Sequence, residues 1–451
     1  MSIDQRIGDT IFAPATASGP AGIAVIRVSG PRARQVLQAV GGIDAAPPRH
    51  AIRCRMVDPE TGEALDDGLA LWFSGPASFT GEDVAELHVH GGRATVEGIC
   101  TVLGRMEGLR LAEAGEFSRR AFHNGKLDLT EIEGLADLIA AETEAQRRQA
   151  LRQLEGALGR MLEDWRARLL AALARIEAAI DFPDEDLPDR LVSETNHQIL
   201  ELCGEISQFL DDNHRGERVR DGLSLAIVGA PNVGKSSLLN ALARRDAAIV
   251  SETAGTTRDI VEVRLDLAGY PATLADTAGL RAAADAIEEE GVRRALARAD
   301  AADLKLVVFD ASSGTPDAAS LAQLGPDSVA IVNKADLGTM ALLDDLRSDL
   351  PGAIAVSVRT GENLDALLAE IERRVADRLD RGGGPPPLTR ARHRAALEDC
   401  ARALERAVAV EGVDLMAEDL RLATAALGRI TGRVDIEDVL DVIFSEFCIG
   451  K

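Results

Sequence analysis

At 451 residues the chain is too long for one ordinary hydrophobic core, so two to four domains are expected. With 46% hydrophobic, 27% charged and only 3% aromatic residues it reads as globular and rich in helix packing. A formal charge of −24 argues against indiscriminate nucleic-acid binding, and no run of 18 apolar residues exists to span a membrane.

The N-terminus, MSIDQRIGDT, has no basic region followed by an apolar core, so it does not read as a signal peptide. Up to about residue 122 strands and short helices mix. IAVIRVSG (23–30) reads as a strand and turn, LALWFS (69–74) and VAELHVH (84–90) as strands, and TVEGICTVLGRM (95–106) as a helix. His88 and His90 alternate in ELHVHGG; the pair could ligate a metal, but the spacing reads first as two residues on one face of a strand. Arg119 with Arg120, and Arg147 and Arg148 with Arg152, are the local basic clusters; each reads as a solvated helix face. Five cysteines (Cys54, Cys100, Cys203, Cys400, Cys448) are scattered without a Cys-x-x-Cys pair, which fits a reducing cytoplasm and gives no zinc site.

From Leu129 to Ile180 the apolar residues recur at three- and four-residue steps: Leu135, Leu138 and Ile139, then Leu151, Leu154, Leu158, Met161, Leu162, Trp165, Leu169, Leu173 and Ile176. DFPDEDLPD (181–189), with two prolines, ends that stretch. A further helix, roughly Ser193 to Leu210, leads into the polar DDNHRGERVRDG.

Next comes GAPNVGKS (229–236), a Gly-x-x-x-x-Gly-Lys-Ser loop between the strand-like Leu223–Val228 and a helical run from Ser237. Gly229 and Gly234 permit a tight turn that aims N–H groups at phosphate. Lys235 brings a charge to the β and γ oxygens, and the Ser236 hydroxyl suits Mg²⁺. SETAGTTRD (251–259) follows, where a threonine suits a switch that ligates Mg²⁺ while the γ-phosphate is present; Thr256 and Thr257 compete for the role. DTAG, after Ala272–Ala275, offers Asp276 to the Mg²⁺ shell and the Gly279 N–H to the γ-phosphate. NKAD (333–336), after Val329–Val332, selects guanine: Asp336 can accept from both N1–H and the exocyclic N2–H, a donor pair that adenine lacks. SVRTG, from Ser357, follows Ala353–Val356 as the last base-contacting loop, with Val358 where GTPases usually carry a smaller residue.

RGGGPPP (381–387) is a linker, after which helical periodicity resumes. One helical domain interrupted by an inserted nucleotide domain, about 215–380, is the economical organisation; two separate helical domains are the alternative.

AGIAVIRVSG, SFTGEDVAELHVHGG, AEAGEFSRRAFHNGKLDLTEIEGLADLI, DFPDED, SETAGTTRD and the terminal FCIGK together resemble the MnmE (TrmE) family of tRNA modification GTPases from end to end. The resemblance implies a multidomain α/β plus α protein. Residues 1–122 would be an α+β tetrahydrofolate-binding and dimerisation domain. Residues 123–214 and 381–451 would form a discontinuous helical domain, and 215–380 an inserted Ras-like P-loop G domain with a doubly wound sheet. It also implies a homodimer that works with the FAD-dependent partner MnmG in the cytoplasm. Together they would place an aminomethyl or carboxymethylaminomethyl group on carbon 5 of the tRNA wobble uridine. A 5,10-methylene-tetrahydrofolate would supply the carbon, with the 5-formyl form as a stable analogue; the partner would carry the FAD and contact most of the tRNA.

Residue by residue, the resemblance assigns Arg27, Glu86, Lys126 and Lys451 to folate, and Cys448 as a candidate active thiol. It assigns GTP to Asn232, Val233, Gly234, Lys235, Ser236, Ser237, Ser251, Thr256, Thr257, Asp276, Thr277, Ala278, Gly279, Asn333, Lys334, Asp336, Ser357, Val358 and Arg359. Mg²⁺ would fall to Ser236 and Thr257. After Gly279 stands Leu280, where Ras-type enzymes carry the glutamine that orients water. The family uses a glutamate instead, here Glu288 of the run Glu288-Glu289-Glu290. No arginine finger is evident. The family resembles potassium-activated GTPases, with Asn232 and the loop near Ser251, Thr253 and Thr256 holding K⁺. A ribosome-assembly GTPase is the alternative, although it would normally carry a basic RNA-binding appendage; a GTP-binding scaffold is opposed by the intact Lys235, Ser236 and Asp276.

Overall fold

The computed structural model describes residues 8–181, 189–244, 262–276, 302–313, 316–337, 352–379, 386–410 and 412–434, and residues 440, 443, 444, 447 and 450 of the tail. It divides into two compact units: Met1–Ala136, Gln153–Thr195 and Ala409–Lys451 in one, Asp137–Arg152 and Asn196–Val408 in the other.

In the first unit, strands β1 (Thr10–Pro14), β2 (Ala21–Ser29), β3 (Ile52–Val57), β4 (Ala64–Phe73), β5 (Val84–Gly91) and β6 (Leu109–Leu111) form one sheet in the order β3-β4-β5-β2-β1-β6. It is antiparallel except where β1 runs parallel to β6. Alternation decides its faces. Ile26, Val28, Ala70, Trp72, Leu87 and Val89 point to one side, against Val36, Leu37 and Val40 of α1 (Ala33–Gly41) and Ile99, Val102 and Leu103 of α2 (Arg93–Arg105). Ile11 and Ala13 point to the other, where Phe117 of α3 (Glu116–His123) covers them. Arg27, Glu86 and His88 lie on that second face.

Helix α4 (Leu129–Ala140) begins the helical stretch, followed by α5 (Glu144–Leu154), α6 (Ala157–Asp181) and α7 (Asp189–Leu210). The expected apolar stripe is real on α6, where Leu158, Leu162, Trp165, Leu169 and Ile176 are buried. Ile139 and Leu151 depart from it and are exposed. The tail packs in this unit: Leu440, Ile443, Phe444 and Phe447 cluster with Leu129 and Ile132. A Cβ on Gly450 would collide with the Pro14 carbonyl at the end of β1, so Gly450 lies close against that strand.

In the second unit, helix α8 (Arg215–Asp221) leads into β7 (Leu223–Gly229), then α9 (Lys235–Ala243), β8 (Glu262–Leu267), β9 (Tyr270–Asp276), β10 (Leu304–Asp310), α10 (Ala318–Leu321), β11 (Ser328–Asn333), β12 (Ile354–Ala355) and α11 (Leu364–Leu379). The sheet order is β12-β11-β10-β7-β9-β8, with only the edge strand β8 antiparallel. The central strands read as continuous apolar runs because both faces are covered. Leu225, Ile227, Leu306 and Ile331 face α9 and α11, while Ala226, Val228, Val307, Phe309 and Val332 fill the opposite core. From β7 the chain runs to the edge strand β8, returns through β9 beside β7, and then crosses to β10, β11 and β12 on the other side of β7. The crevice between β7 and β10 is therefore a topological switch point, where such sheets bind ligands beyond their strand ends. Helix α12 (Ala391–Ala409) belongs to this unit, and α13 (Val413–Thr431) packs with α6 in the first.

Candidate functional site

Three loops meet at that crevice. The first follows β7. Gly229 takes φ 154 and a side chain there would run into the Val308 carbonyl, so the loop needs glycine to leave the sheet. Asn232 adopts the left-handed φ 63, and Gly234 takes φ 101. Lys235, 8% exposed, opens α9 and folds its ammonium back onto the carbonyls of Gly229 at 2.8 Å and Ala230 at 2.7 Å. Ser236 and Ser237, in the first turn of α9, are exposed, as is Asn232. Their N–H groups lie at a helix N-terminus, where an anion is favoured.

The second and third loops lock onto the first. Asn333 ends β11 and is 3% exposed; its Nδ2 donates to the Val233 carbonyl at 2.8 Å, and its Oδ1 accepts from Val358 N–H at 3.2 Å. One side chain thus ties the phosphate loop to both base loops. The contact at Val358 is made by its backbone, so its larger side chain does not interrupt it. Asp336 accepts from the Ser357 hydroxyl at 2.7 Å and pairs with Arg359. The Ser357 hydrogen bond, with the Arg359 pair, holds the Asp336 carboxyl below its usual range, so it is an acceptor at neutral pH.

Lys334 sits at φ 61 and pairs with Asp310 at 2.6 Å. Burial works to raise the Asp310 carboxyl, but the hydrogen bonds from Lys334 and Ser312 outweigh it and hold it low. Sequence reasoning missed Asp310. The signal was present: it ends the apolar run LKLVVFD and stands opposite Asn333 in the β10–β11 register.

A second polar cluster lies on the first unit's sheet. Arg27 and Glu86 face each other across β2 and β5, and the guanidinium reaches the Glu86 carboxylate at 2.9 Å. The rings of Phe79 and Phe117 flank Arg27 at 5.5 and 5.8 Å. His88 meets the other Glu86 oxygen at 3.3 Å. Lys126 donates to the Pro76 carbonyl at 3.0 Å, in the loop that carries Phe79. The two phenylalanines were not anticipated as partners of Arg27. His88 and His90 do share a strand face, and no metal-binding group of side chains occurs among the described residues.

One expectation is corrected. Arg120 is not on a solvated helix face: it is 7% exposed and donates to Asp9 O, Glu82 and Glu116, because α3 turns that side inward beside Phe117. Arg119 lies over the Phe444 ring of the tail. Arg147 does pair at the surface, with Glu144.

Ser251, Thr253, Thr256, Thr257, Thr277, Ala278, Gly279, Glu288, Cys448 and Lys451 lie outside the described residues, as does the side chain of Asp276.

Comparison with known proteins decides the family. The model of the MnmE helical domain matches residues 129–448, and that of the GTP-binding protein TrmE N-terminus matches residues 10–126. The chain belongs to the MnmE family. The tRNA modification GTPase MnmE of Parvibaculum lavamentivorans is 59% identical over 449 residues, covering 98% of this chain and 100% of that one. The counterparts from Rhodospirillum rubrum and Paramagnetospirillum magneticum are 56% and 53% identical, covering 98% and 99% of this chain and 99% and 100% of theirs. Among solved structures, Era of Aquifex aeolicus bound to GDP.AlF4- is 27% identical over 42% of this chain and 68% of that one, with a TM-score of 0.29, too slight a likeness to carry an argument. The chain is therefore a GTP-hydrolysing enzyme with a Ras-like G domain, an N-terminal domain of the TrmE type and a helical domain.

Proposed function

We propose that the chain hydrolyses GTP to drive modification of the tRNA wobble uridine, using a one-carbon unit from a reduced folate. The observation that carries the folate part is the Arg27–Glu86 pair between two aromatic rings. A carboxylate suits the donor-rich edge of a pterin, a guanidinium suits an anionic glutamyl tail, and the rings supply apolar faces. Lys126 and Lys451 would add positive charge, and the buried Phe447 with Gly450 against β1 supports a docked tail that presents Lys451 and Cys448.

For the G domain, Ser236 with Thr257 would hold Mg²⁺, and Glu288 would orient the attacking water. Asn232 with Ser251, Thr253 and Thr256 would hold K⁺, which supplies positive charge where an arginine finger is otherwise used. Asn232 is left-handed and exposed at the mouth of the phosphate loop, which fits a ligand role. Asp336 would read the guanine edge, with Asn333 and Lys334 holding the ring.

In this reading the functional unit is a homodimer, and the FAD-dependent partner MnmG joins it to act on tRNA in the cytoplasm. Exposed Ile23 and Leu69, on the sheet face that α1 and α2 leave uncovered, support dimerisation through residues 1–122. Residues 123–214 and 381–451 would form the helical domain around the G domain at 215–380. No helix among the described residues is long and apolar enough to cross a membrane.

Equilibrium binding of 5-formyl-tetrahydrofolate tests the reading. Arg27→Ala and Glu86→Gln should each weaken it about tenfold or more, the scale of a lost charge-assisted hydrogen bond, while GTP hydrolysis persists. Undiminished folate binding in both variants would remove the site.

A further inference from the structure

The end of α4 and the helix α5 belong by sequence to the helical part, yet residues Asp137–Arg152 form one compact unit with the G domain. Ala145, in the first turn of α5, is 7% exposed and joins the apolar core beneath the sheet. Its N–H donates to the Gly269 carbonyl at 2.9 Å, at the tip of the β8–β9 hairpin. Glu142 grips the same hairpin from its side, with both carboxylate oxygens within 3.2 Å of Arg264 on β8. The other side of the segment is fixed by two glutamines that donate to backbone of α8: Gln146 to Arg220 O and Gln149 to Gly216 O, each at 2.9 Å.

The hairpin's two ends give these contacts their meaning. β8 begins just after SETAGTTRD, and β9 ends at Asp276, the first residue of DTAG. Any shift of the hairpin therefore moves the roots of both switch strings together. The loops that hold phosphate and base hang from β7, β11 and β12, which Glu142 and Ala145 do not grip.

We propose that Glu142 and Ala145 are positioning residues for GTP hydrolysis, fixing the β8–β9 hairpin, and with it both switches, against α5. The proposal rests on reading 251–259 and 276–279 as the switches. Because Arg264 is exposed, its pair with Glu142 gives at most about fivefold in rate. The half-buried Ala145–Gly269 hydrogen bond gives up to about tenfold. Ala145→Pro removes that N–H and puts the ring's Cδ where the hydrogen pointed at Gly269, so it breaks this tie outright in a helix's first turn, where proline is tolerated.

The test uses the full-length protein, with single-turnover GTP hydrolysis and titration of a fluorescent GDP. Glu142→Ala and Arg264→Ala should slow hydrolysis two- to fivefold, and Ala145→Pro up to about tenfold, at unchanged nucleotide affinity. The reversed pair, Glu142→Arg with Arg264→Glu, should recover the rate. Wild-type rates throughout, rate and affinity falling together, or a reversed pair no better than the single variants would each overturn the proposal. Thr257→Ala, in the first switch string, run alongside separates the two layers. If it abolishes hydrolysis while the other variants hydrolyse normally, the switch reading stands and the positioning role falls; if it is fully active, both fall.

Discussion

Replacing Gly234 by alanine tests the base and phosphate loops as one assembly. The residue holds φ 101, which an L side chain rarely adopts, and the added Cβ would collide with Nδ2 of Asn333. The backbone costs about 1–2 kcal/mol. Displacing the Asn333 amide breaks its bond to Val233, for about 1 kcal/mol more. The sum, about 2–3 kcal/mol, corresponds to a 30- to 150-fold loss at about 1.4 kcal/mol per decade. Titration of a fluorescent GDP should show that loss. Asn333→Ala removes the colliding group, so the double variant should lose less affinity than the two single losses added. Binding within threefold of wild type for Gly234→Ala, or strict additivity in the cycle, would refute the collision as the cause.

GTP hydrolysis should be markedly faster in K⁺ than in Na⁺ at equal ionic strength, and Asn232→Ala should erase the difference with nucleotide binding nearly intact; equal rates for the wild type would end the potassium reading. Glu288→Ala should lower kcat by orders of magnitude at little change in GTP affinity, whereas Glu289→Ala and Glu290→Ala should be near neutral; equal losses from all three would indicate an acidic face with a structural role. The Glu370 carboxyl is held down to about 2, first by hydrogen bonds from Arg373, with burial opposing and Arg374 assisting. A depressed folded value stabilises above the unfolded value of about 4.3 and loses that stabilisation as pH falls toward 2. Glu370→Gln should thus be less stable than wild type at pH 7, the gap closing between pH 4.5 and 2; a gap independent of pH would contradict the assignment. Cys448→Ser should impair wobble-uridine modification while sparing GTP hydrolysis, and full modification would leave the thiol without a chemical role.

The G domain was legible because its signals are local. A buried parallel strand is a contiguous apolar run, and each motif follows such a run directly: Leu223–Val228 before the phosphate loop, Val329–Val332 before NKAD. The N-terminal sheet was harder. β1, TIFAP, and β3, IRCRMV, are short, and neither shows a clean alternation of apolar and polar residues. α1 was missed although its apolar spacing, Val36, Leu37 and Val40, is local; at nine residues it is short. Arg120 shows the limit of composition: two adjacent arginines read as one surface cluster, yet consecutive helix positions face different ways, one toward Glu82 and one toward Phe444. Asp310 and the Phe79–Arg27–Phe117 stack depend on contacts between distant segments, which no local pattern announces.

The two polar clusters follow one electrostatic rule. Among the described residues, charges assigned to a ligand already have partners within the chain: Lys235 has the Gly229 and Ala230 carbonyls, Asp336 has Ser357 and Arg359, Lys334 has Asp310, and Arg27 has Glu86. A charge left bare in a half-buried site would cost the folded state its desolvation, so pairing stabilises the protein before any ligand arrives. Ligands must then enter by exchange, replacing a bond already made, and the net gain is smaller than the contact itself. Removing a partner such as Glu86 therefore does two opposing things: it frees Arg27 for an anion, and it strands a guanidinium beside two phenyl rings. Which of the two dominates depends on how far water reaches the pair, and at 23% and 15% side-chain exposure Arg27 and Glu86 are closer to the buried limit. The stranded charge should outweigh the freed one, which places Glu86 among the residues that hold the site together as well as those that meet its ligand.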